Sequence, residues 1–213
     1  MLFYEKQVWV DEPDVLLAGV DEAGRGCLAG PVVAGAVMIA PDLVDALAAT
    51  VLLGLTDSKQ LTVRQRERFF ALLAETPGIM TATGWCTAQE VDRLNILVAT
   101  HLAMRRAVEY LPVKVGHVLV DGLPVKGLPC PSTAIVRGDS KSLLIAAASV
   151  VAKVSRDRYM CELDTRYPEY GFSVNKGYGV HAHMAALFKY GSCAEHRHTF
   201  RPVQDADQWL PGL

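Results

Sequence analysis

The chain has 213 residues, of which 51% are hydrophobic and 21% charged, with a formal net charge of −2. This length and composition allow a sizeable core in one domain and exclude a disordered chain. Because the overall charge is slightly negative, a nucleic-acid ligand would need a locally basic surface or metal ions.

Five apolar runs, rich in β-branched residues, predict buried strands. In chain order these runs are 15–20, 32–39, 79–86, 117–120 and 133–136. The first two are joined by an acidic turn that contains a Gly-Arg-Gly sequence.

Helical patterns occupy most of the remaining chain. Two of them open with a capping box, Thr62 with Gln65 and Thr87 with Glu90. The predicted helices are 42–53, 62–73, 87–110, 142–164 and 183–189. Residues 145–152 are almost all small and apolar, so this helix is expected to pack closely against the sheet.

The order of elements predicts an α/β fold, with a central mixed sheet flanked by helices. We expect one domain over residues 1–213, comprising an α/β core to about residue 167 and a C-terminal helical extension over about 168–213. No repeat or linker divides the chain.

The cysteines and the N-terminus bear on cellular location. The five cysteines are scattered without a C-x-x-C pair, which is typical of free thiols in a reducing compartment. No export signal or membrane-spanning run is visible, so we expect a cytoplasmic protein without a membrane partner.

A zinc site is not expected. Cys193, His196 and His198 fit no common zinc spacing.

Acidic residues follow three of the predicted strands. Asp21 and Glu22 follow the first run, Asp121 the fourth, and Asp139 comes shortly after the fifth. Any one of them alone could merely cap a turn, but carboxylates gathered at one sheet edge repel unless cations neutralise them. Oxygen ligands suit Mg²⁺ or Mn²⁺ better than zinc. The pattern predicts two divalent ions for phosphodiester chemistry.

The Gly24-Arg25-Gly26 turn has two interpretations. Residues 24–29 match the G-x-G-x-x-A dinucleotide fingerprint, which requires a helix to start at the glycines. Gly30-Pro31 and a β-branched run follow instead, and Asp21 and Glu22 would repel a pyrophosphate. We therefore favour a turn that contacts a phosphate or a sugar.

The sequence resembles bacterial ribonuclease HII, the type 2 ribonucleases H. Five blocks carry the resemblance: Asp21–Gly26 with Pro31-Val32; Asp57-Ser58-Lys59 with Leu61; Val120-Asp121-Gly122; Gly138-Asp139-Ser140 with Ala146–Ser149 and Ala152-Lys153-Val154; and Lys176–Gly179 with His196-Arg197 and Phe200. The resemblance implies a ribonuclease H-like fold. It also implies cleavage of RNA in RNA·DNA hybrids and incision 5′ of single ribonucleotides in duplex DNA, leaving 5′-phosphate and 3′-hydroxyl ends.

The resemblance also assigns roles to residues. It places the catalytic metal ligands at Asp21, Glu22, Asp121 and Asp139. It makes Gly24, Arg25 and Gly26 contacts to the ribose 2′-hydroxyl and places Tyr178 against the neighbouring sugar. The candidate phosphate contacts are Lys59, Lys141, Lys176, His196 and Arg197. Asp157, which lies mid-helix between two arginines, is expected to be structural.

Two other classes of protein fit the sequence less well. Ribonuclease HIII carries an additional N-terminal substrate-binding domain, for which the 20 residues before Asp21 leave no room. A non-catalytic hybrid-binding protein would gain nothing from clustered carboxylates facing phosphates. We therefore expect a monomeric enzyme whose partners are RNA·DNA hybrids and ribonucleotide-containing duplex DNA.

Overall fold

A computed structural model describes residues 1–209 and contains one five-stranded mixed sheet. The strands are β1 (Leu17–Ala23), β2 (Val32–Ile39), β3 (Ile79–Cys86), β4 (His117–Asp121) and β5 (Ser132–Ile135). Their order across the sheet is β3-β2-β1-β4-β5. β1, β2 and β3 pair antiparallel, whereas β4 runs parallel to both β1 and β5. All five predicted strands are confirmed.

Nine α-helices surround the sheet within the described residues. They are α1 (Phe3–Asp11), α2 (Val44–Ala49), α3 (Val63–Glu75), α4 (Ala88–Leu94), α5 (Ile96–Glu109), α6 (Leu143–Arg166), α7 (Phe172–Asn175), α8 (His181–Tyr190) and α9 (Arg201–Trp209). Two single-turn 3₁₀ helices lie at Gly138–Ser140 and Pro168–Tyr170. The predicted α/β fold with a C-terminal helical extension is confirmed.

Helix α6 packs directly on the face of β1 and β2, as its small residues predict. Ala146, Ala147 and Ala148 are fully buried there. The approach is so close that a Cβ atom at Gly19 of β1 would lie 2.2 Å from the backbone carbon of Leu144. Glycine is therefore required at this position. The contact fixes the end of β1 relative to the start of α6.

The opposite face of the sheet packs against α5. Successive side chains of β1 point to opposite faces of the sheet. Leu17 belongs to the core beneath α6, and Ala18 and Val20 belong to the core beneath α5. Burial on both sides explains why β1 and β2 are apolar along nearly their whole length.

Both predicted capping boxes are present, but the helix predicted over 87–110 is interrupted. Asn95 adopts a φ of 67°, which ends α4, and its side chain accepts hydrogen bonds from the backbone of Leu97 and Val98 at the start of α5. The apolar stripe of this segment continues across the break, so periodicity alone did not reveal it.

Other helix predictions need correction as well. The helix predicted over 42–53 is limited to the six residues of α2, followed by turns. Helices α1, α7 and α9 are not predicted by the sequence patterns. None of the helices in residues 1–209 combines the length and apolar character that crossing a bilayer would require.

Candidate active site

The strand register brings two of the predicted acids together. Val20 of β1 pairs in parallel with Val120 of β4, so Asp21 and Asp121 leave adjacent strands at the same sheet edge. Gly19 and Leu119, which lie two residues before these aspartates, face α6. Because residues two apart in a strand share a face, both aspartates lie on that same face of the sheet. Glu22 is one residue further along β1 and lines the same cleft as Asp21.

Asp139 reaches the same edge from the 3₁₀ turn between β5 and α6. The Asp121 carboxylate accepts a 2.6 Å hydrogen bond from the backbone N–H of Gly138, which ties this turn to the end of β4. On the other side, Ser142 caps α6 and donates a 2.6 Å hydrogen bond to the buried carboxylate of Glu5 in α1. Helix α1 therefore helps to hold the turn that carries Asp139.

Three carboxylates are crowded at this edge. Asp21, Asp121 and Asp139 each offer an oxygen, and these oxygens all lie within 4.8 Å of one another. Burial, then the neighbouring Glu22 and Asp121, raise the pKa of Asp21 well above its usual value. Burial and Asp121 likewise raise the pKa of Asp139. The protein itself thus leaves negative charge poorly compensated here.

Nearby cations offset only part of this charge. Burial raises the pKa of Glu22, and the guanidinium of Arg25, 3.4 Å from its carboxylate, opposes that rise. Burial tends to lower the pKa of Lys59, but the surrounding carboxylates, above all Asp21, raise it. Asp57, which was not among the predicted site residues, also raises the pKa of Asp139.

The donor set fits a hard divalent cation. All three ligand candidates are carboxylates, two of them with pKa values raised by burial and mutual repulsion, and hard cations such as Mg²⁺ and Mn²⁺ prefer oxygen ligands. A bound cation would relieve the repulsion that the fold imposes.

A cleft of about 320 Å³ opens beside the acids. It is lined by the end of β1 and the turn after it, by Ser58 and Lys59, and by Lys153 and Tyr178. The Lys153 ammonium lies 6.0 Å from the centre of the Tyr178 ring. Lys153 was only part of a matched sequence block, and this contact identifies it as a residue of the site.

Two buried arginines shape the turn after β1. Arg156 of α6 donates to the carbonyls of Pro31, Ala29 and Lys176 at 2.9, 3.0 and 2.8 Å. Arg197 donates to the carbonyls of Gly24, Arg25 and Gly30 at 2.7 to 3.1 Å. Together they join the turn, α6, the Tyr178 loop and the C-terminal segment.

The two glycines of the turn have different environments. Gly24 has a φ of +95°, and a Cβ atom there would lie 2.1 Å from Nε of Arg156, so the fold itself requires glycine. A Cβ atom at Gly26 would meet nothing within 4 Å. The packing of the chain therefore does not explain the glycine at position 26.

Comparison with known proteins identifies the family. The family model described as Ribonuclease HII matches residues 18–203, which include the carboxylates, the Gly-Arg-Gly turn and Tyr178. The chain belongs to the ribonuclease HII family. Ribonuclease HII 1 of Methylibium petroleiphilum is 50% identical over 196 residues, covering 90% of this chain and 92% of that protein. Ribonuclease HII of Syntrophotalea carbinolica is 50% identical over 189 residues, covering 89% and 87%.

Solved structures agree with this assignment. The ribonuclease H2 of Pyrococcus horikoshii superposes with a TM-score of 0.77 at 27% identity, over 90% of this chain and 97% of that one. Bst-RNase HIII, solved in complex with Mn²⁺, has a TM-score of 0.73 at 17% identity over 90% and 69%, which shows a shared fold. As a ribonuclease HII family member, the chain is a ribonuclease H, a metal-dependent hydrolase.

The predicted phosphate contacts separate into three groups. Lys59 lines the cleft. Lys141 and Lys176 do not line it; their ammonium groups donate to the carbonyls of Val136 and Ser173, and their role stays a prediction. His196 and Arg197 are fully buried, so the prediction that they contact phosphates is wrong: a group without surface cannot reach a ligand. Arg197 supports the turn instead.

Asp157, expected to be structural, accepts a 2.8 Å hydrogen bond from Lys153. It therefore helps to hold the lysine that lies over Tyr178. Lys153, Arg156 and Asp57 were not predicted from the sequence as residues of the site or its support, although all three lie in or beside the matched sequence blocks. Their proximity to the blocks was the available signal.

Proposed function

We propose that the protein incises the phosphodiester bond on the 5′ side of ribonucleotides, including single ribonucleotides embedded in duplex DNA. The supporting observation is that Asp21 and Glu22 of the acidic edge, the Gly24–Gly26 turn and Tyr178 line one cleft. Such an arrangement can test the sugar and cut beside it in the same encounter.

The residues divide the work between chemistry and recognition. Asp21, Asp121 and Asp139, with Glu22 beside them, would hold two divalent ions. When bound, such ions would supply a more acidic water and stabilise negative charge on the leaving 3′-oxygen, and the expected products carry 5′-phosphate and 3′-hydroxyl ends. Lys59 adds positive charge next to the carboxylates, where a phosphate would otherwise be repelled.

Recognition of the ribose falls to the turn and the tyrosine. The 2′-hydroxyl is the only group that distinguishes ribose from deoxyribose. The open space at Gly26 lets a sugar approach the backbone closely, and the half-exposed side chain of Arg25 lies beside it. The Tyr178 side chain is 41% exposed and offers a flat surface to the neighbouring sugar. We propose that the protein acts as a monomer.

The test is a mapped cleavage reaction. A duplex with one embedded ribonucleotide is incubated with the protein and Mg²⁺ or Mn²⁺, beside an all-DNA duplex and a long RNA·DNA hybrid. We expect cleavage 5′ of the ribonucleotide, none in the all-DNA duplex, and no activity with chelator. Cleavage confined to the long hybrid would contradict the proposal, and metal-independent binding without cleavage would indicate a pure binding protein.

A further inference from the structure

Two buried histidines connect the C-terminal segment to Tyr178. His183 of α8 and His196 are both fully buried. Nδ1 of His183 lies 2.9 Å from the carbonyl oxygen of Tyr178, and the two Nε2 atoms lie 3.1 Å apart. Nδ1 of His196 lies 3.0 Å from the backbone nitrogen of Cys193 and 3.2 Å from the sulfur of the same residue, whose S–H group can also donate to it. All four ring nitrogens are therefore engaged.

These contacts determine where the ring protons lie. A carbonyl oxygen only accepts, so Nδ1 of His183 carries a proton; a backbone N–H only donates, so Nδ1 of His196 carries none. Nε2 of His196 must then donate to an unprotonated Nε2 of His183. Adding a proton to either ring would leave the Cys193 amide facing another N–H group. The chain of hydrogen bonds is consistent only with two neutral rings in one defined pair of tautomers.

The surroundings favour these neutral rings. Tyr170 packs against His196 with ring centres 4.8 Å apart, and Phe172 against His183 at 5.4 Å. Burial lowers the pKa of His183, and burial together with His183 lowers that of His196 to about 4. Near neutral pH, the pair therefore acts as a fixed polar connection inside an aromatic enclosure.

The segment that carries His196 also supports the Gly24–Gly26 turn, which lines the cleft as Tyr178 does. His196 forms an isolated β-bridge with Ala29, and Gly30 donates its backbone N–H to the carbonyl of Glu195 at 2.8 Å. The next residue, Arg197, holds the carbonyls of Gly24 and Arg25. The histidine pair thus lies between the Tyr178 backbone and the segment that supports the Gly24–Gly26 turn.

We infer that His183 and His196 are positioning residues for ribonucleotide recognition, because their hydrogen-bond chain fixes Tyr178 relative to the Gly24–Gly26 turn. Neither histidine reaches a substrate, so they act only through those two elements. The inference rests on the proposed function, in which Tyr178 and the turn contact the sugars at the cut. A small displacement of a positioned group is enough to slow an enzymatic reaction strongly.

Two substitutions of His183 distinguish a role in positioning Tyr178 from a general contribution to the stability of the fold. The asparagine amide in His183→Asn can take the place of Nδ1 and still donate to the Tyr178 carbonyl. The longer glutamine in His183→Gln takes the place of Nε2, so it keeps the contact with His196 and loses the one with Tyr178. Each variant loses one buried hydrogen bond, so both are expected to lower the melting temperature similarly.

The kinetic readout is kcat/KM on a duplex with a single ribonucleotide at saturating Mg²⁺. We expect a loss of about tenfold for His183→Gln and less than about threefold for His183→Asn, on the scale of small misplacements. In a Tyr178→Ala background, His183→Gln should cause little further loss, because the group that it positions is gone. Equal kinetics in the two variants, or full additivity with Tyr178→Ala, would overturn the inference.

A spectroscopic measurement needs no variant to fold. Nitrogen-15 NMR of the wild-type imidazoles should show His183 protonated on Nδ1 only and His196 on Nε2 only at neutral pH. Any other protonation pattern overturns the inference. Failure of the wild-type protein to incise the single-ribonucleotide duplex would instead overturn the proposed function, so the two failures are distinguishable.

Discussion

On one side of the site three carboxylates are crowded together, whereas on the other the Gly24–Gly26 turn is held by buried groups whose hydrogen bonds are satisfied. At the acidic edge, burial and repulsion raise the pKa values of Asp21 and Asp139. Around the Gly24–Gly26 turn, Arg156 and Arg197 each donate to three backbone carbonyls. The acids therefore reduce stability in return for metal affinity, and the arginines provide stability that keeps the turn in place.

This contrast predicts opposite consequences for substitutions on the two sides. Changes at the acidic edge should remove activity while the fold persists. Changes beneath the turn should first reduce stability. Four substitutions, taken from the largest expected effect to the smallest, test this difference.

The largest effect is expected for Asp121→Asn. The amide keeps an oxygen that can accept the hydrogen bond from Gly138, but it loses the charge that faces Asp21 and Asp139. We expect hybrid cleavage to fall by roughly 10³-fold or more, the scale on which losing a catalytic electrostatic group acts. The measurement is initial rate in Mg²⁺, with circular dichroism to confirm folding.

Asp45→Asn is the matched control for this change. Asp45 is an exposed aspartate that pairs with Lys6 on the surface, so its substitution should leave the rate unchanged. Near-normal cleavage by Asp121→Asn would show that the acidic edge does not carry the chemistry.

The second substitution, Arg197→Met, acts on the other side. Methionine keeps an apolar stem but leaves the carbonyls of Gly24, Arg25 and Gly30 without their donor. Each buried carbonyl left without a donor costs about 1–3 kcal/mol. With three carbonyls affected, we expect the free energy of unfolding to fall by roughly 3–5 kcal/mol. Denaturant titration measures it.

Arg201→Met provides the comparison, because the Arg201 side chain is 89% exposed and lies 3.8 Å from its carboxylate partner. It should change the unfolding free energy by less than about 0.5 kcal/mol. Equal effects at positions 197 and 201 would contradict the supporting role assigned to the buried arginine.

The two sides also differ in how far the sequence reveals them. The acids follow apolar strands, and strand order and register then place them together, so their grouping could be predicted from pattern and family resemblance. The role of Arg197 could not: a basic residue in a matched block is typical of a phosphate contact, and only the three-dimensional packing shows its guanidinium turned inward. Arg197 is buried by residues far away in the sequence, and the spacing of residues within a motif does not reveal such contacts.

The same limit explains the helix errors. Capping boxes are local, and both at Thr62 and Thr87 were predicted correctly. The break at Asn95 depends on a single left-handed backbone conformation inside a continuous apolar stripe, which periodicity does not detect. Helix α1 has little amphipathic pattern, and its buried Glu5 is explained only by its contacts with Ser142 and Leu144.

The third substitution, Asp21→Asn, tests whether the acidic edge lowers stability. A raised pKa means that the folded protein holds the proton more tightly than the unfolded chain. The carboxyl therefore destabilises the fold as pH rises above the ordinary value of 3.8, until the pH passes the folded-state pKa. In chelator at neutral pH, we expect Asp21→Asn to raise the unfolding free energy, because the amide does not carry the charge that burial and the neighbouring carboxylates disfavour.

Thermal unfolding at several pH values and Mg²⁺ concentrations provides the measurement. The gain from Asp21→Asn should vanish at pH values below 3.8, and Mg²⁺ should stabilise the wild type more than the variant, because the variant has lost a ligand. A variant less stable than the wild type in chelator would show that the carboxylate cluster is not under repulsion.

The smallest effect on stability is expected for Gly26→Ala, at the point where the two sides meet. The added methyl group meets nothing within 4 Å, so stability should change by less than about 0.5 kcal/mol. Incision at a single ribonucleotide should still fall about tenfold, since the methyl group occupies space that the sugar needs. Gly24→Ala is the comparison: its Cβ atom would collide with Arg156, so it should unfold more readily. Unchanged incision by Gly26→Ala would mean that the sugar does not approach the turn at this residue, and that the open space at Gly26 has no part in recognition.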